Sequence, residues 1–239
     1  LFLVPAFAAD DVETIESVTI VGSAEDARNL PGSVSVISNE DLKKTMDTDI
    51  HKILSAVPGV FFRTEDGYGL RPNISIRGTT IDRSAKVSIM EDGVLVAPAP
   101  YTSASAYYFP TTGRINQVEV VKGPSAITQG PSTIGGAINL ISTPIPSSDE
   151  GQLVQEIGDN GMMRTHAYFG GSNGTFGALL EMHEHSSDGF DSIANVGGNT
   201  GFDKSDFMGK FRYSTGDHEL TLKIVEADEI SEQSYVGLS

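Results

Sequence analysis

Residues 176–185 read Phe-Gly-Ala-Leu-Leu-Glu-Met-His-Glu-His, and their polarity follows a two-residue pattern. The mainly apolar set comprises Phe176, Ala178, Leu180 and Met182, and the opposite set comprises Gly177, Leu179, Glu181, His183 and His185. Side chains of a β-strand point alternately to its two faces, so this period of two predicts a strand with one polar face. A run of about ten such residues is long enough for a tilted strand to cross a bilayer.

The same alternation continues on both sides of this strand, over residues 164–169, 206–213 and 219–225. Tight turns are expected at residues 170–174 and 214–217, and a long polar loop at 186–204. Short turns at one end and long loops at the other are typical of outer-membrane β-barrels. A soluble antiparallel sandwich also alternates, so the pattern alone leaves that alternative open.

The strand carrying Glu181, His183 and His185 raises the question of a metal site. Residues two apart on one face of a strand are separated by about 6.8 Å, which is too far for three adjacent ligands of one ion. We therefore interpret these side chains as polar groups facing a barrel lumen, and no metal site is predicted.

Residues before about 149 mix helix and strand signals. Ser38 followed by Asp41 predicts a capped helix over 39–46, and a second helix begins at Thr48 and ends at Pro58-Gly59. Strands are expected at 34–37, 73–77, 86–90, 117–121 and 137–141, with an Asp92-Gly93 hairpin turn. These elements predict an α+β domain of about 120 residues, which is large enough for its own core.

Charge and composition exclude several classes of function. The 239 residues carry 16 basic and 32 acidic side chains, a net charge of −16, which disfavours nucleic acid as a partner. There is no cysteine, so disulfides, thiolate metal sites and a cysteine nucleophile are excluded. No His-Glu-x-x-His motif occurs, and the Gly-x-Ser-x-Gly sequence at 170–174 falls in an expected tight turn between strands, so we predict no catalytic residue. A secreted β-sandwich enzyme is the alternative that hydrolase activity would support.

The two ends of the sequence have different properties. Residues 1–8 form an apolar run ending in Ala6-Phe7-Ala8, which has the small-x-small pattern of a signal-peptidase site, and we interpret them as a signal-peptide remnant that implies export. The last residues, Gly237-Leu238-Ser239, carry no feature that ends a domain, so we expect the barrel to be truncated here.

Five motifs in order connect the front half to a known family. They are Arg-Pro-Asn-Ile-Ser-Ile-Arg-Gly at 71–78, Met-Glu-Asp-Gly-Val at 90–94, Ala-Pro-Tyr at 99–101, Val-Glu-Val-Val-Lys-Gly-Pro at 118–124, and Gly-Pro-Ser-Thr-Ile-Gly-Gly-Ala-Ile-Asn-Leu at 130–140. In this order and spacing the sequence resembles the plug domain of TonB-dependent outer-membrane receptors, most of all the ferric dicitrate receptor type. The close match covers residues 17–146, and residues 150–239 are similar only in their pattern of strands and turns.

The resemblance implies a domain organisation. Residues 1–8 would be the signal remnant, 9–24 a leader with the energy-coupling box, 25–147 the plug, and 148–239 the first strands of a barrel of about 22 strands. About five strands are legible in 148–239, so most of that barrel would lie outside this sequence. The expected fold is an α+β plug domain followed by antiparallel strands of an incomplete transmembrane β-barrel, in the outer membrane of a Gram-negative bacterium.

The resemblance also implies partners. A TonB energy-transducing complex of the inner membrane would bind the coupling box, and outer-membrane lipid would surround the barrel. A β-prone segment can add to a partner sheet by main-chain hydrogen bonds. This segment stands apart from other apolar residues, so we do not expect it in the core, although a fixed edge strand of the plug is an alternative. The box comprises Ser17, Val18, Thr19, Ile20, Val21 and Gly22.

The transported ligand implied by the resemblance is a small-molecule iron chelate, with no resident cofactor. Hydroxyl, aromatic and arginine side chains in two apical loops suit a polar chelate. The expected ligand-binding residues are Arg63, Tyr68, Arg71, Tyr101, Thr102, Ser103, Ser105 and Tyr107. Contacts between plug and barrel are expected from Arg77, Glu119 and Lys122. The alternatives are a ligand-sensing receptor whose main role is signalling, and uptake of a cobalamin or another metal chelate.

Overall fold

The computed structural model describes residues 19–21, 32–45, 47–96, 108–191 and 199–232. These residues form two sheets and a separate hairpin. Residues 32–146, which we call the front domain, carry β1 (Ser33–Ile37), α1 (Asn39–Thr45), α2 (Ile50–Leu54), β2 (Val60–Arg63), β3 (Asn73–Ile76), β4 (Val87–Glu91), β5 (Val94–Leu95), β6 (Ile115–Lys122) and β7 (Gly136–Ser142). The described helices are too short and too polar to cross a membrane.

The sheet of the front domain has the order β1-β6-β7-β4-β5. Strand β6 is antiparallel to both β1 and β7, whereas β4 runs parallel to β7. Strands β4 and β7 are buried along their whole length, as expected for strands covered on both faces. Strands β2 and β3 form the separate hairpin.

The core of the front domain lies between this sheet, the β2–β3 hairpin and helix α2. Its largest cluster contains Ile50 and Leu54 from α2, Ile74 and Ile76 from β3, and Ile89, Ile138 and Leu140 from the sheet, each no more than 1% exposed. The helix positions predicted to share a face, Ile50, Ile53, Leu54 and Val57, are all buried in it. This burial fixes the front domain as a rigid support for its loops.

Local signals in the sequence located the start of α1 and the turn between β4 and β5, whereas α2 is shorter than predicted, with Asp49 as its N-cap and Leu54 as its last residue. The Ser38 hydroxyl accepts from the Asp41 amide at 3.3 Å, and the Asp41 carboxylate accepts from the Ser38 hydroxyl at 2.7 Å, which starts α1. Asp92 and Gly93 have φ of 48° and 76°, the positive values that a two-residue turn between β4 and β5 requires.

Residues 150–232, which we call the back sheet, form an antiparallel meander in the order β12-β11-β10-β9-β8. Its strands are β8 (Glu150–Ile157), β9 (Met163–Ser172), β10 (Phe176–Ser187), β11 (Phe202–Thr215) and β12 (His218–Ser231). The alternation predicted for β10 is confirmed, since Leu180 and Met182 are exposed while Leu179, Glu181 and His183 are buried. The polar face of the back sheet packs against the front domain, and the apolar face points away from it.

The two ends of the back sheet differ in their connections. At one end β9 joins β10 through residues 173–175, and β11 joins β12 through residues 216–217. At the other end lie residues 158–162 and the longer connection 188–201. We call the second end the long-loop end. Because the sheet is a simple antiparallel meander, its described short connections lie at one end and its longer ones at the other. Its described strands also share one polar face.

Candidate functional site

A buried ionic cluster joins the front domain to the back sheet. Its centre is Arg114, which ends a short 3₁₀ turn just before β6 and whose side chain is fully buried. The Arg114 guanidinium donates from Nε to Asp206 Oδ1 of β11 at 2.9 Å, and from Nη2 to Glu91 Oε2 of β4 at 3.2 Å. Thr111 donates a second bond to Asp206, at 2.9 Å. A guanidinium held by two carboxylates is a charge-assisted contact of the stronger kind.

Two lysines of the back sheet extend this cluster toward the β4–β5 turn. Lys223 of β12 contacts Glu91 and donates to Asp92 Oδ2 at 2.6 Å. Lys210 of β11 lies 3.4 Å from the same carboxylate and donates to the Thr143 carbonyl at 2.8 Å. The Asp92-Gly93 turn therefore presents its carboxylate to the back sheet, so the hairpin turn is also a contact point.

The cations set the ionisation of the acids in this cluster. Burial raises the pKa of Glu91, but the charges of Arg114 and Lys223 outweigh it and hold that pKa below its usual value. Burial also raises the pKa of Asp92, but the charges of Lys210 and Lys223 outweigh it and hold that pKa below its usual value. Burial raises the pKa of Tyr108, which lies beside Arg114, to about 12. The acids are therefore ionised and the phenol is neutral near pH 7.

The long-loop end holds the first group of predicted ligand residues. Asp66 accepts from the amides of Tyr68, Gly69 and Arg71 at 2.7 to 2.8 Å, which closes the loop on itself. Tyr68 donates to or accepts from Ser187 at 3.0 Å and packs on Phe190 and Phe202. This loop is thereby docked on the back sheet at the end where its long connections lie.

The two arginines of this loop differ in what they contact. Arg71 pairs with Glu229 of β12 and donates to the Leu70 carbonyl. Arg63 is about half exposed, with Glu65 at 3.1 Å and Asp82 at 3.3 Å. Tyr68 and Arg71 thus hold the loop in place, while Arg63 offers a charge to solvent. The remaining predicted ligand residues, Tyr101, Thr102, Ser103, Ser105 and Tyr107, lie outside the described residues.

The three residues predicted to contact the barrel have different surroundings in the structure. Lys122 donates to Ser35 and to the Pro58 carbonyl, each at 3.1 Å, so these bonds stay within the front domain. Arg77 is exposed, and its guanidinium lies over Gly123, where an added Cβ would be 2.2 Å from Nη1. Among the described residues, the ionic contacts between the front domain and the back sheet include those of Arg114, Glu91 and Asp92. None of these three was predicted as a contact residue, and their charge at the end of a strand was the one signal available in the sequence.

Glu119, the third of these residues, holds part of the predicted coupling segment. Its carboxylate accepts from the amides of Ile20 at 2.8 Å and Val21 at 3.1 Å, and from Asn139 Nδ2 at 3.0 Å. Val21 is 6% exposed and packs with Val121 and other apolar residues. The expectation that this segment stands apart from the core is therefore wrong at Val21. Ser17, Val18 and Gly22 lie outside the described residues, and Thr19 is exposed.

Two sizeable cavities lie between the front domain and the back sheet. One of about 680 Å³ opens beside β12 and is lined by Val94, Leu95, Lys210 and Lys223 among others. The other, of about 530 Å³, lies against β8–β10 and is lined by Lys43, Thr112, His166 and His183 among others. Each cavity is bordered by an edge strand of the back sheet, the first by β12 and the second by β8.

The histidines of β9 and β10 lie close together on the polar face. The His166 Nε2 atom is 2.6 Å from Glu181 Oε1, which also accepts from Thr143 at 2.7 Å. His166 and His183 are paired across the strands, with ring centroids 5.8 Å apart. Within the described part of the chain, no three His, Asp or Glu side chains are arranged to hold a metal ion.

Comparison with known proteins finds similarity in both halves of the chain. Residues 26–137 match the protein family described as TonB-dependent Receptor Plug Domain. A crystal structure of the ferric citrate transporter FecA in the unliganded form has a TM-score of 0.75 at 21% identity, with 92% of this chain and 34% of that chain covered. This likeness confirms the fold expected from the sequence, a mixed front domain followed by antiparallel strands of a partial barrel.

Two curated proteins are similar in sequence. The vitamin B12 transporter BtuB of Photobacterium profundum is 26% identical over 216 residues, which cover 89% of this chain and 35% of that protein. An iron-regulated outer membrane virulence protein of Vibrio cholerae is 35% identical over 150 residues, which cover 59% of this chain and 22% of that protein. The chain thus spans about a third or less of the length of these relatives.

Proposed function

We propose that the whole protein actively imports a ferric chelate such as ferric citrate or a siderophore. The premise is that this chain belongs to the TonB-dependent receptors of the outer membrane. Receptors of this family are transporters and not enzymes. The observation that carries the proposal is the polar interface between the front domain and the back sheet. It contains a buried ionic cluster, whereas a permanently packed interface would be mostly apolar.

An importer has to release part of this interface during each transport cycle. Ionic and hydrogen-bonded contacts such as Lys223 to Asp92 and Thr143 to Glu181 can exchange with water when they part. An apolar interface of the same area would lose its burial free energy on opening. The composition of the interface therefore supports a front domain that moves relative to the barrel wall.

Energy for this movement would come from a TonB complex of the inner membrane. We propose that it binds residues 17–22 as an added β-strand. Glu119 holds Ile20 and Val21 through their amide groups, and strand addition would need one of the two, because successive N–H groups of a strand point to opposite edges. The proposed partner and Glu119 therefore compete for that donor.

The ligand would be bound at the long-loop end. Arg63 is the described candidate with an exposed charge, and the proposed site also includes Tyr101, Thr102, Ser103, Ser105 and Tyr107. Tyr68 and Arg71 would act by holding the loop 63–71 against the back sheet. Burial and the neighbouring Arg77 charge lower the pKa of Lys122, and we propose that barrel strands outside this chain bring carboxylates to this pair of cations.

A second candidate ligand is a cobalamin. The observation that favours it is the similarity of 89% of this chain to a vitamin B12 transporter. Cobalamin and ferric chelates place different demands on the loops of the site, because one is a large corrinoid and the other a compact polyanion.

Growth assays on defined ligands separate these candidates. The full-length receptor would be expressed in a Gram-negative host that lacks its own outer-membrane receptors, with ferric citrate, ferric enterobactin or vitamin B12 as the limiting nutrient. The proposal predicts growth on at least one ferric chelate and loss of that growth in a host without TonB. Growth on vitamin B12 alone would establish the second candidate, and growth on none of them would contradict both.

A further inference from the structure

The cavity of about 530 Å³ against β8–β10 has a smaller neighbour on the side of the long-loop end. This second space, of about 20 Å³, is lined by Tyr68 and Leu70 of the docked loop and by Lys204. Both cavities are lined by Thr112 and His183, so these two residues form the partition between them. The front domain contributes one side of the partition and the back sheet the other.

The imidazole of His183 fills the partition. His183 is 2% exposed, and within the described part of the chain neither of its ring nitrogens has a hydrogen-bond partner. Gly113, next to Thr112, leaves room for the ring, since a Cβ at Gly113 would be 2.0 Å from His183 Nε2. A buried polar ring without partners is poorly held by its surroundings, so His183 is the weak point of this part of the interface.

We infer that the 530 Å³ cavity is an intermediate binding site on the import path, and that His183 is the gate between it and the long-loop end. The inference rests on the proposed function, because it needs a ligand that crosses the barrel. The ligand class is a compact, oxygen-rich chelate, which can accept hydrogen bonds from the imidazole as it passes.

The size and lining of the cavity fit such a ligand. Pockets that bind small molecules usually measure about 300–1,000 Å³, and this one falls within that range. Its walls carry the hydrogen-bonding side chains of Lys43, Arg164, His166 and Tyr168 besides His183. Lys43 lies on α1, and the three side chains of β9 already contact carboxylates, so a chelate leaving the gate would exchange with those carboxylates for the same groups. The three contacts are Arg164 to Glu156, His166 to Glu181 and Tyr168 to Glu150.

The test is a size series at position 183 in the full-length receptor. Initial uptake and surface binding of ferric citrate labelled with radioactive iron are measured in whole cells for wild type, His183→Ala and His183→Trp. The matched control is Glu184→Trp, since Glu184 is the next residue of β10 and points to the opposite, exposed face. A ferric siderophore replaces ferric citrate if that is the chelate supporting growth.

A gate predicts an order that follows side-chain size. Uptake should fall about tenfold or more in His183→Trp and stay at or above the wild-type rate in His183→Ala, with binding unchanged in both. Glu184→Trp should transport as wild type. The inference is overturned if His183→Ala loses uptake, or if His183→Trp binds ligand and imports it at the wild-type rate. If His183→Trp fails to bind because it does not fold, His183→Tyr takes its place in the size series, and wild-type uptake by that variant overturns the inference.

Failure of this inference is distinguishable from failure of the proposed function. If wild-type receptor imports no ferric chelate, the proposed function is wrong. If wild type imports one and the size order at position 183 is absent, the import path lies elsewhere and the proposed function stands.

Discussion

Arg114 of the front domain and Asp206 of the back sheet are both inaccessible to solvent and are joined by a 2.9 Å hydrogen bond between Nε and Oδ1. Such a pair is costly to bury and is retained only where both charges are satisfied. Here Glu91 and Thr111 complete the set of partners. The pair therefore fixes the position of the front domain on the back sheet.

Removing the Arg114 charge should destabilise the receptor strongly. In Arg114→Met the buried Asp206 loses its cation and Glu91 keeps only Lys223, an effect of about 3–5 kcal/mol in the free energy of unfolding. Denaturant unfolding of the refolded full-length receptor measures it. Arg63→Met, at a half-exposed arginine, should change stability by less than about 1 kcal/mol. Equal losses in the two variants would show that the buried cluster has no special role.

The ionic cluster should also weaken in acid. The pKa values of Glu91 and Asp92 are lowered in the folded protein, so their stabilisation is fully present above the unfolded-state values of about 4. It is lost as the pH falls through the lowered values, because the protonated acids no longer attract Arg114, Lys210 and Lys223. Unfolding measured from pH 7 to pH 2 should therefore show stability falling below about pH 4.

A matched pair of variants isolates this effect. Glu91→Gln should flatten part of the pH dependence, whereas Glu40→Gln should leave it unchanged, because Glu40 pairs with Lys44 on an exposed helix surface. An acid dependence that is the same in Glu91→Gln as in wild type would rule out this cluster as its source.

Glu119 should control the exposure of residues 20–21. Glu119→Ala removes the acceptor of both amides, and hydrogen bonds to a charged acceptor contribute about 1.5–3 kcal/mol each. Amide hydrogen exchange at Ile20 and Val21 should then be about tenfold to hundredfold faster. Exchange in Glu40→Ala serves as the control, and protection that survives in Glu119→Ala would contradict the anchoring role.

Gly136 should tolerate no side chain. An added Cβ would lie 2.3 Å from the Val121 carbonyl oxygen, and that backbone atom is held in the β6–β7 pairing. Gly136→Ala should lose about 1–3 kcal/mol of stability or more. The control is Gly209→Ala, where the nearest atom is 3.4 Å away. Both are measured by denaturant unfolding, and equal stability would mean that the strands adjust freely.

Local pattern was sufficient to predict the elements but not the contacts between them. The Ser38 cap, the Asp92-Gly93 turn and the two faces of β10 depend on residues close in sequence, so each was legible. Arg114 and Asp206 are 92 residues apart, and their pairing depends on how the front domain docks. A single sequence contains no signal for that docking.

Two residues show what local pattern does not supply. Glu119 was expected to face the barrel, because its own strand reveals a charge but not the distant segment that uses it. His183 was considered with its neighbours along β10, whereas the structure pairs it across the sheet with His166. Strand register and chain docking carry this information, and local periodicity does not.

The central claim, energy-coupled import, is tested most directly by a proline in the coupling segment. Ferric citrate binding and uptake are compared in cells that express full-length wild type, Val18→Pro or the leader control Thr14→Pro, with the growth-supporting chelate substituted where it differs. Proline removes a main-chain donor and blocks strand addition at Val18. We predict normal binding in all three and loss of uptake in Val18→Pro alone. Wild-type uptake by Val18→Pro would contradict the account.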